Sequence, residues 1–214
     1  DVRYAGTAKW GPAHRRWLAE FSFPLPWSQI AFEEHRRAID ERMAQCERLE
    51  AALREAAPAW RFYPVVQAIQ ALRGVQFTLA ISLIAEIGEL SRFEHPRQLM
   101  AWLGVTPSEH SSGGTRKLGG ITKAGNGYAR KALVEAAWSY RFPAKVSRII
   151  QVRHEGLPTP IVARAWDAQL RLCGRYRRLT AHGKLPTVAV VAVARELAAF
   201  VWDIARMTPV ESAH

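Results

Sequence analysis

Apolar and polar positions recur with helical spacing over most of this chain. From Ser28 to about Ala57, Phe32, His35, Ile39, Met43, Cys46, Leu49 and Leu53 return at three- and four-residue steps with Glu and Arg between them. That pattern predicts a two-sided helix of about 45 Å at 1.5 Å per residue. It should pack against a partner helix, from the same chain or from another copy. Residues 1–26, with Gly6, Gly11, Pro12, Pro24 and Pro26, read as irregular apart from a short helix around Ala13–Phe21. Shorter helices are expected at Ala59–Leu72, Phe77–Ile87 and Pro96–Leu103, with Gly74 and Gly88 marking turns. Pro96 sits at a first-turn position, where its missing N–H costs nothing. Residues 104–126 read as a loop, followed by helices at about Gly127–Arg141, Ala144–Glu155, Pro160–Leu179 and Pro186–Met207.

No alternating strand pattern longer than four residues occurs, so the expected class is mainly α. A long helix or coiled-coil segment is followed by a compact helical domain with a Gly-rich basic loop. The expected division is residues 1–58, residues 59–207 and a tail at 208–214. A length of 214 residues is enough for a real core, and 49% hydrophobic residues with eight Trp argue against disorder. Trp102, Trp138, Trp166 and Trp202 fall among apolar neighbours at helical positions and are expected in that core.

Charge sharpens the picture. The formal net charge is +11, and it is unevenly placed. Residues 1–100 carry 13 Lys/Arg against 12 Asp/Glu, whereas residues 101–214 carry 17 against 7. An excess of this kind suits phosphate and points to nucleic acid, the alternative being a solubility charge without a partner. Cys46 and Cys173 form no CxxC pair, so neither a disulfide framework nor a zinc site is indicated, and a reducing cytoplasm fits. The uncharged run Gly74–Ala85 is too short to span a bilayer, and no signal peptide is visible. The opening at Asp1 instead of Met is what a fragment or a trimmed chain would show, and initiator removal or a tag would look the same.

Residues 111–131 concentrate the chemistry: six Gly, five Lys/Arg and no acid. Glycines let the backbone approach a ligand, and bare N–H groups beside Arg116, Lys117 and Lys123 suit phosphate oxygens. Arg130 and Lys131 fall on the first turn of the next helix, whose N-terminus adds partial positive charge. Ser111 and Ser112 open the segment. A Ser hydroxyl attacks a phosphodiester only when its developing charge is stabilised, which those cations offer. A lone Ser in such a loop is otherwise an ordinary polar residue, and the loop itself an ordinary basic surface. His110 stands beside the serines, and His95-Pro96 reads as a helix start. Arg171, Arg175 and Arg178 share one helix face, with Tyr176 beside them: either a nucleic-acid surface or a solvated face.

A set of motifs adds to these readings. Leu72-Arg73-Gly74-Val75, Ala85-Glu86-Ile87-Gly88, Phe93, Arg97-Gln98-Leu99 and Ala101-Trp102-Leu103-Gly104-Val105-Thr106-Pro107 come first. Ser112-Gly113, Ile121-Thr122-Lys123-Ala124-Gly125-Asn126 and Ala129-Arg130-Lys131-Ala132-Leu133 follow in order. Together, from about Ile69 to about Met207, they resemble the C-terminal domain of DEDD-type transposases of the insertion-sequence one-ten family, the bridge-RNA-guided recombinases. The resemblance implies DNA transposition and site-specific recombination by phosphoryl transfer, with Ser112 as nucleophile and Ser111 as the neighbouring alternative. It assigns the helix from Ser28 to a coiled-coil segment. It further implies a RuvC-like domain with four acidic ligands for Mg²⁺, outside this chain. Its expected partners are donor and target DNA, a guide RNA and further copies of the protein, with action at the bacterial nucleoid. The turn Leu72–Gln76 resembles a helix-hairpin-helix loop in which Gln76 stands where a second glycine would meet phosphate. A catalytically inactive nucleic-acid-binding remnant and a helical oligomerisation scaffold are the rival readings.

Overall fold

A computed structural model describes residues 2–7, 9–109 and 118–210, and divides the chain into two compact units, Asp1–Glu55 and Ala56–His214. Each is mainly helical, as the periodicity predicts.

The first unit contains α1 (Pro12–Glu20) and most of α2 (Pro26–Ala56). The two run antiparallel, because contacts that step back along α1 step forward along α2. Phe21 meets Phe32, the Leu18 carbonyl accepts from Arg36, and Arg15 lies 3.8 Å from Asp40. Tyr4, His14, Trp17, Phe21 and Phe23 extend this aromatic seam. The seam covers only the first half of α2. Met43, Leu49 and Leu53 stay exposed, and no described residue of α2 is buried. The expected partner helix is therefore met over the first half of the stripe by α1, whose Arg15 reaches as far as Met43, while Leu49 and Leu53 are exposed.

The second unit is organised around α9 (Pro186–Arg206), whose Ala189, Val190, Val193, Ala194, Leu197, Ala198, Val201 and Ile204 are all essentially sealed from solvent. A helix apolar on most of its circumference belongs inside a bundle. Here α3 (Tyr63–Ile69), α5 (Pro96–Trp102), α6 (Gly127–Ala137) and α8 (Thr159–Ala181) surround it, and α4 (Phe77–Ile87) packs behind α3 and α6. Five-residue runs such as Val188–Ala192 carry little intrinsic helix preference, so burial against these four neighbours sets the conformation. The buried face of α8 carries the small residues Ala165, Ala168 and Cys173 with Leu172 and Gln169, whose Oε1 accepts from the Lys145 N–H at 3.2 Å.

Several boundaries differ from the sequence reading, each for a local reason. Pro58 and Pro64 confine the first expected helix to Tyr63–Ile69, after a 3₁₀ turn at Ala57–Ala59. The helix from Gly127 tightens into a 3₁₀ turn at Trp138–Arg141 because Pro143 forces Phe142 into an extended conformation. The next helix, α7 (Arg148–His154), starts only after Ser147, whose hydroxyl caps it. The segment expected as a loop contains an antiparallel ribbon, β1 (Pro107–Glu109) and β2 (Leu118–Ile121). Of the four tryptophans, Trp102, Trp138 and Trp202 pack against the core, whereas Trp166 is 38% exposed on the outer face of α8.

The turn between α3 and α4 is turned inward. A Cβ at Gly74 (φ +83°) would lie 2.3 Å from the Ala136 carbonyl oxygen. Arg73 donates to Pro143 O at 2.7 Å, Arg153 to Val75 O at 2.7 Å, and the His154 ring meets Ala71 O at 3.1 Å. This turn is a junction for α6 and α7, with Val75 sealed inside. Beside it Tyr140 is fully buried, and burial holds its phenol far above the usual range.

Gly104 and Gly183 both end a helix in the left-handed conformation, φ +65° and +75°, and both donate back into the last helical turn. A Cβ at Gly183 would meet nothing within 4 Å, but one at Gly104 would fall 1.9 Å from the Ala124 carbonyl oxygen. Gly183→Ala should therefore cost about 1 kcal/mol, the conformational term alone. Gly104→Ala should cost more than about 2 kcal/mol, because backbone must move. Urea denaturation of the two variants side by side checks this; equal losses would show that the close approach carries no energy.

Candidate nucleic-acid interface

The stretches at Gly104 and at residues 122–126 are positioned by backbone contacts closer than any side chain would permit. A Cβ at Gly125 (φ +79°) would sit 1.8 Å from the Trp102 carbonyl oxygen, the counterpart of Gly104 against Ala124. Two strand-like hydrogen bonds continue the ribbon inward, Thr122 N–H to Thr106 O at 2.9 Å and Lys123 N–H to Gly104 O at 3.1 Å. The ribbon pairs Pro107 with Ile121 and Glu109 with Leu118, with an irregularity between them. Ser108 Oγ donates to Gly120 O at 3.0 Å. A side chain at Gly119 would meet that hydroxyl, at 2.5 Å.

The segment then enters α6 through Asn126. Its Oδ1 accepts from Ala129 N–H at 2.9 Å, the standard N-cap bond, while its Nδ2 donates to Glu86 on α4 at 2.5 Å. Arg130 reaches back across the loop and donates through one Nη to Leu103 O at 2.9 Å and Ala124 O at 3.2 Å. The end of α5, residues 122–126 and the start of α6 are thus one rigid corner.

What this corner shows to solvent is basic. Lys123 is exposed and adopts φ +57°, a conformation that a non-glycine residue holds only when its surroundings impose it. Lys131 is exposed on the second turn of α6, with Glu135 a loose 3.9 Å away. Tyr128 is 79% exposed on the first turn. Sequence reasoning passed over Tyr128; an aromatic directly after Asn126-Gly127 on an otherwise polar first turn was the available signal. Of the residues singled out for phosphate contact, the structure brings Lys123, Arg130 and Lys131 to this corner, with one Arg130 nitrogen committed to carbonyls. Ser111, Ser112, Arg116, Lys117 and His110 lie outside the described residues.

The arginine face on α8 is already engaged. Arg171 Nε donates to Glu196 Oε2 at 2.8 Å, and Arg175 Nε lies 3.2 Å from Glu196 Oε1, off the hydrogen-bond direction. Glu196 is only 17% exposed and lies on α9. Arg164 is likewise paired to Asp203 and Asp167. Arg177 and Arg178 remain exposed. Among the described residues no group of three or more His, Cys, Asp or Glu side chains converges as a metal site, and no helix is long and apolar enough to cross a membrane.

Residues 66–150, which include this corner, match the profile of the "Transposase IS116/IS110/IS902 family". Over 203 residues, 95% of the chain and 49% of the relative, the sequence is 44% identical to a putative transposase, y4qE, of Sinorhizobium fredii. Over 181 residues, 84% of the chain and 52% of the relative, it is 25% identical to the transposase for insertion sequence element IS1533 of Leptospira borgpetersenii. A shorter stretch of 71 residues is 39% identical to the transposase for insertion sequence element IS1111A of Coxiella burnetii, covering 33% of the chain and 20% of that relative. The chain spans about half the length of the first two.

Two outcomes follow from this geometry. Asn126→Ala removes the cap of α6 and the tie to Glu86, and should cost about 1–2 kcal/mol in thermal unfolding. Glu196→Gln releases Arg171 and Arg175. If the α8 face can meet DNA, the salt dependence of duplex binding should steepen by about one to two units in log–log slope. An unchanged slope would show that this face makes no phosphate contact.

Proposed function

We propose that this chain, whose residues 66–150 match the transposase IS116/IS110/IS902 family, is the DNA-handling C-terminal part of a transposase. The observation that supports it best is the corner formed by the end of α5, residues 122–126 and the start of α6. Its frame is held by buried and glycine-mediated contacts, whereas Lys123, Tyr128 and Lys131 are left to solvent. A frame that is rigid and a rim that is basic are what holding a DNA phosphate in fixed geometry requires.

In this reading Ser112 is the nucleophile. Its Oγ forms a bond to phosphorus of a DNA strand, the bond from phosphorus to the leaving sugar oxygen breaks, and the hydroxyl proton ends on that oxygen or on solvent. The product is a phosphoserine ester, which keeps the energy of the broken linkage for rejoining to a second DNA end. Lys123, Lys131 and the uncommitted N–H groups of Arg130, with Arg116 and Lys117, neutralise the charge that builds on the phosphate oxygens. Donor and target DNA are the substrates. A guide RNA pairs with them, and further copies of the chain assemble through the exposed apolar half of α2. The residues of this chain act in this step through charge and position alone. Mg²⁺ belongs with a RuvC-like domain elsewhere in the full-length protein.

The test uses the full-length transposase with guide RNA, Mg²⁺ and end-labelled donor DNA, scored for a protein–DNA adduct that survives denaturation. Ser112→Ala should abolish the adduct and leave DNA binding in place. An adduct lost only in Ser111→Ala would move the nucleophile by one residue. Binding without an adduct in any version would leave a nucleic-acid-binding module and sink the catalytic assignment.

A further inference from the structure

A trough of about 430 Å³ lies between the ribbon and the first half of α9. Its walls are Val105, Pro107 and Ile121 on one side and Val188, Val191 and Ala192 on the other, and its lip carries Lys123 and Arg195. Among the described residues no acid lines it. Neither Lys123 nor Arg195 has a side-chain hydrogen bond or ion pair among the described residues. This sets Arg195 apart from Arg164, Arg171 and Arg175, whose charges are matched by acids on α8 and α9. Arg195 is moreover half-buried beside the apolar wall. Val188 is 52% exposed, so the apolar wall is open to solvent.

We propose that this trough binds a single unstacked nucleotide of a DNA strand, the base against the apolar walls and its phosphate between Lys123 and Arg195. An apolar floor is repaid only by an apolar face, and two cations with no partner among the described residues suit an anion beside it. A nucleotide drawn out of the stack offers both within one residue, whereas a stacked duplex presents phosphates and sugars and hides its base faces. A peptide partner would need acids at two points against an otherwise apolar segment. β1 and β2, which form the trough, are also the two legs of the segment bearing Ser111 and Ser112. The inference deepens the transposase reading and rests on it.

Two substitutions separate the contributions. Ala192→Leu fills the trough from a helical position without changing charge, and Arg195→Gln removes one cation. Binding is measured by fluorescence anisotropy, using the 214-residue chain and labelled oligothymidylate, oligouridylate and duplex DNA of about 20 nucleotides each. Thermal unfolding confirms that each variant is folded. Either variant, if folded, should lower the ratio of single-strand to duplex affinity about tenfold. Oligothymidylate carrying 4-thiothymidine should crosslink to α9 or to the ribbon, and Ala192→Leu should suppress that product.

Single-strand binding unchanged in both folded variants, or reduced in step with duplex binding, overturns the trough. So does a preference for oligouridylate over oligothymidylate, which would assign the site to RNA. Wild-type protein that binds none of the three probes defeats the nucleic-acid reading as a whole. A Ser112-dependent adduct formed equally well by both trough variants would defeat the trough alone.

Discussion

The close backbone approach at Gly104 and Gly125 is the constraint on which the basic corner depends. At these two places the end of α5 and residues 122–126 come within a distance where any Cβ would overlap a carbonyl oxygen. Both glycines also adopt left-handed dihedrals that other residues take only with strain. Arg130 closes the corner by bridging Leu103 O and Ala124 O, and Asn126 ties it to α4. Lys123 N–H to Gly104 O then fixes the root of the ribbon. Residues 122–125 are themselves exposed, so these contacts, and not apolar burial, hold that stretch against the buried ends of α5 and α6.

Behind the corner the second unit supplies rigidity by ordinary means. A helix sealed on most of its surface, α9, collects α3, α5, α6 and α8 around it. The interior turn at Gly74 takes its backbone partners from Arg73, Arg153 and His154, so polar atoms of a tight turn are satisfied while Val75 is sealed. The positive charge of this half of the chain is thereby sorted. Arg153 and part of Arg130 hold the fold together, while Arg164, Arg171 and Arg175 are matched to acids. Lys123, Lys131 and Arg195 stay within reach of a polyanion, and these three lie on or next to the ribbon and the start of α6.

Sequence reasoning reached the helices because a 3.6-residue apolar period survives any tertiary arrangement. It missed the short strands: three- and four-residue stretches such as Pro107–Glu109 hold no period to detect, and their pairing is a contact across the chain. It also placed Trp166 in the core, since the apolar character of a residue does not say which side of an amphipathic helix faces its neighbours. The α2 stripe is an intermediate case. Its apolar spacing was plain, yet only its first half is met by α1, and chain connectivity decided which half.

By itself the sequence determined the mainly α class, the site of the Gly-rich basic segment and the family motifs within it, because these depend on local spacing and residue type. Tertiary structure alone decided what each cation does. Arg171, Arg175 and Arg195 look alike in the sequence, but Glu196 meets the first two and nothing described meets the third. The availability of a charge is a property of its neighbours in space, and those neighbours come from elements far apart along the chain.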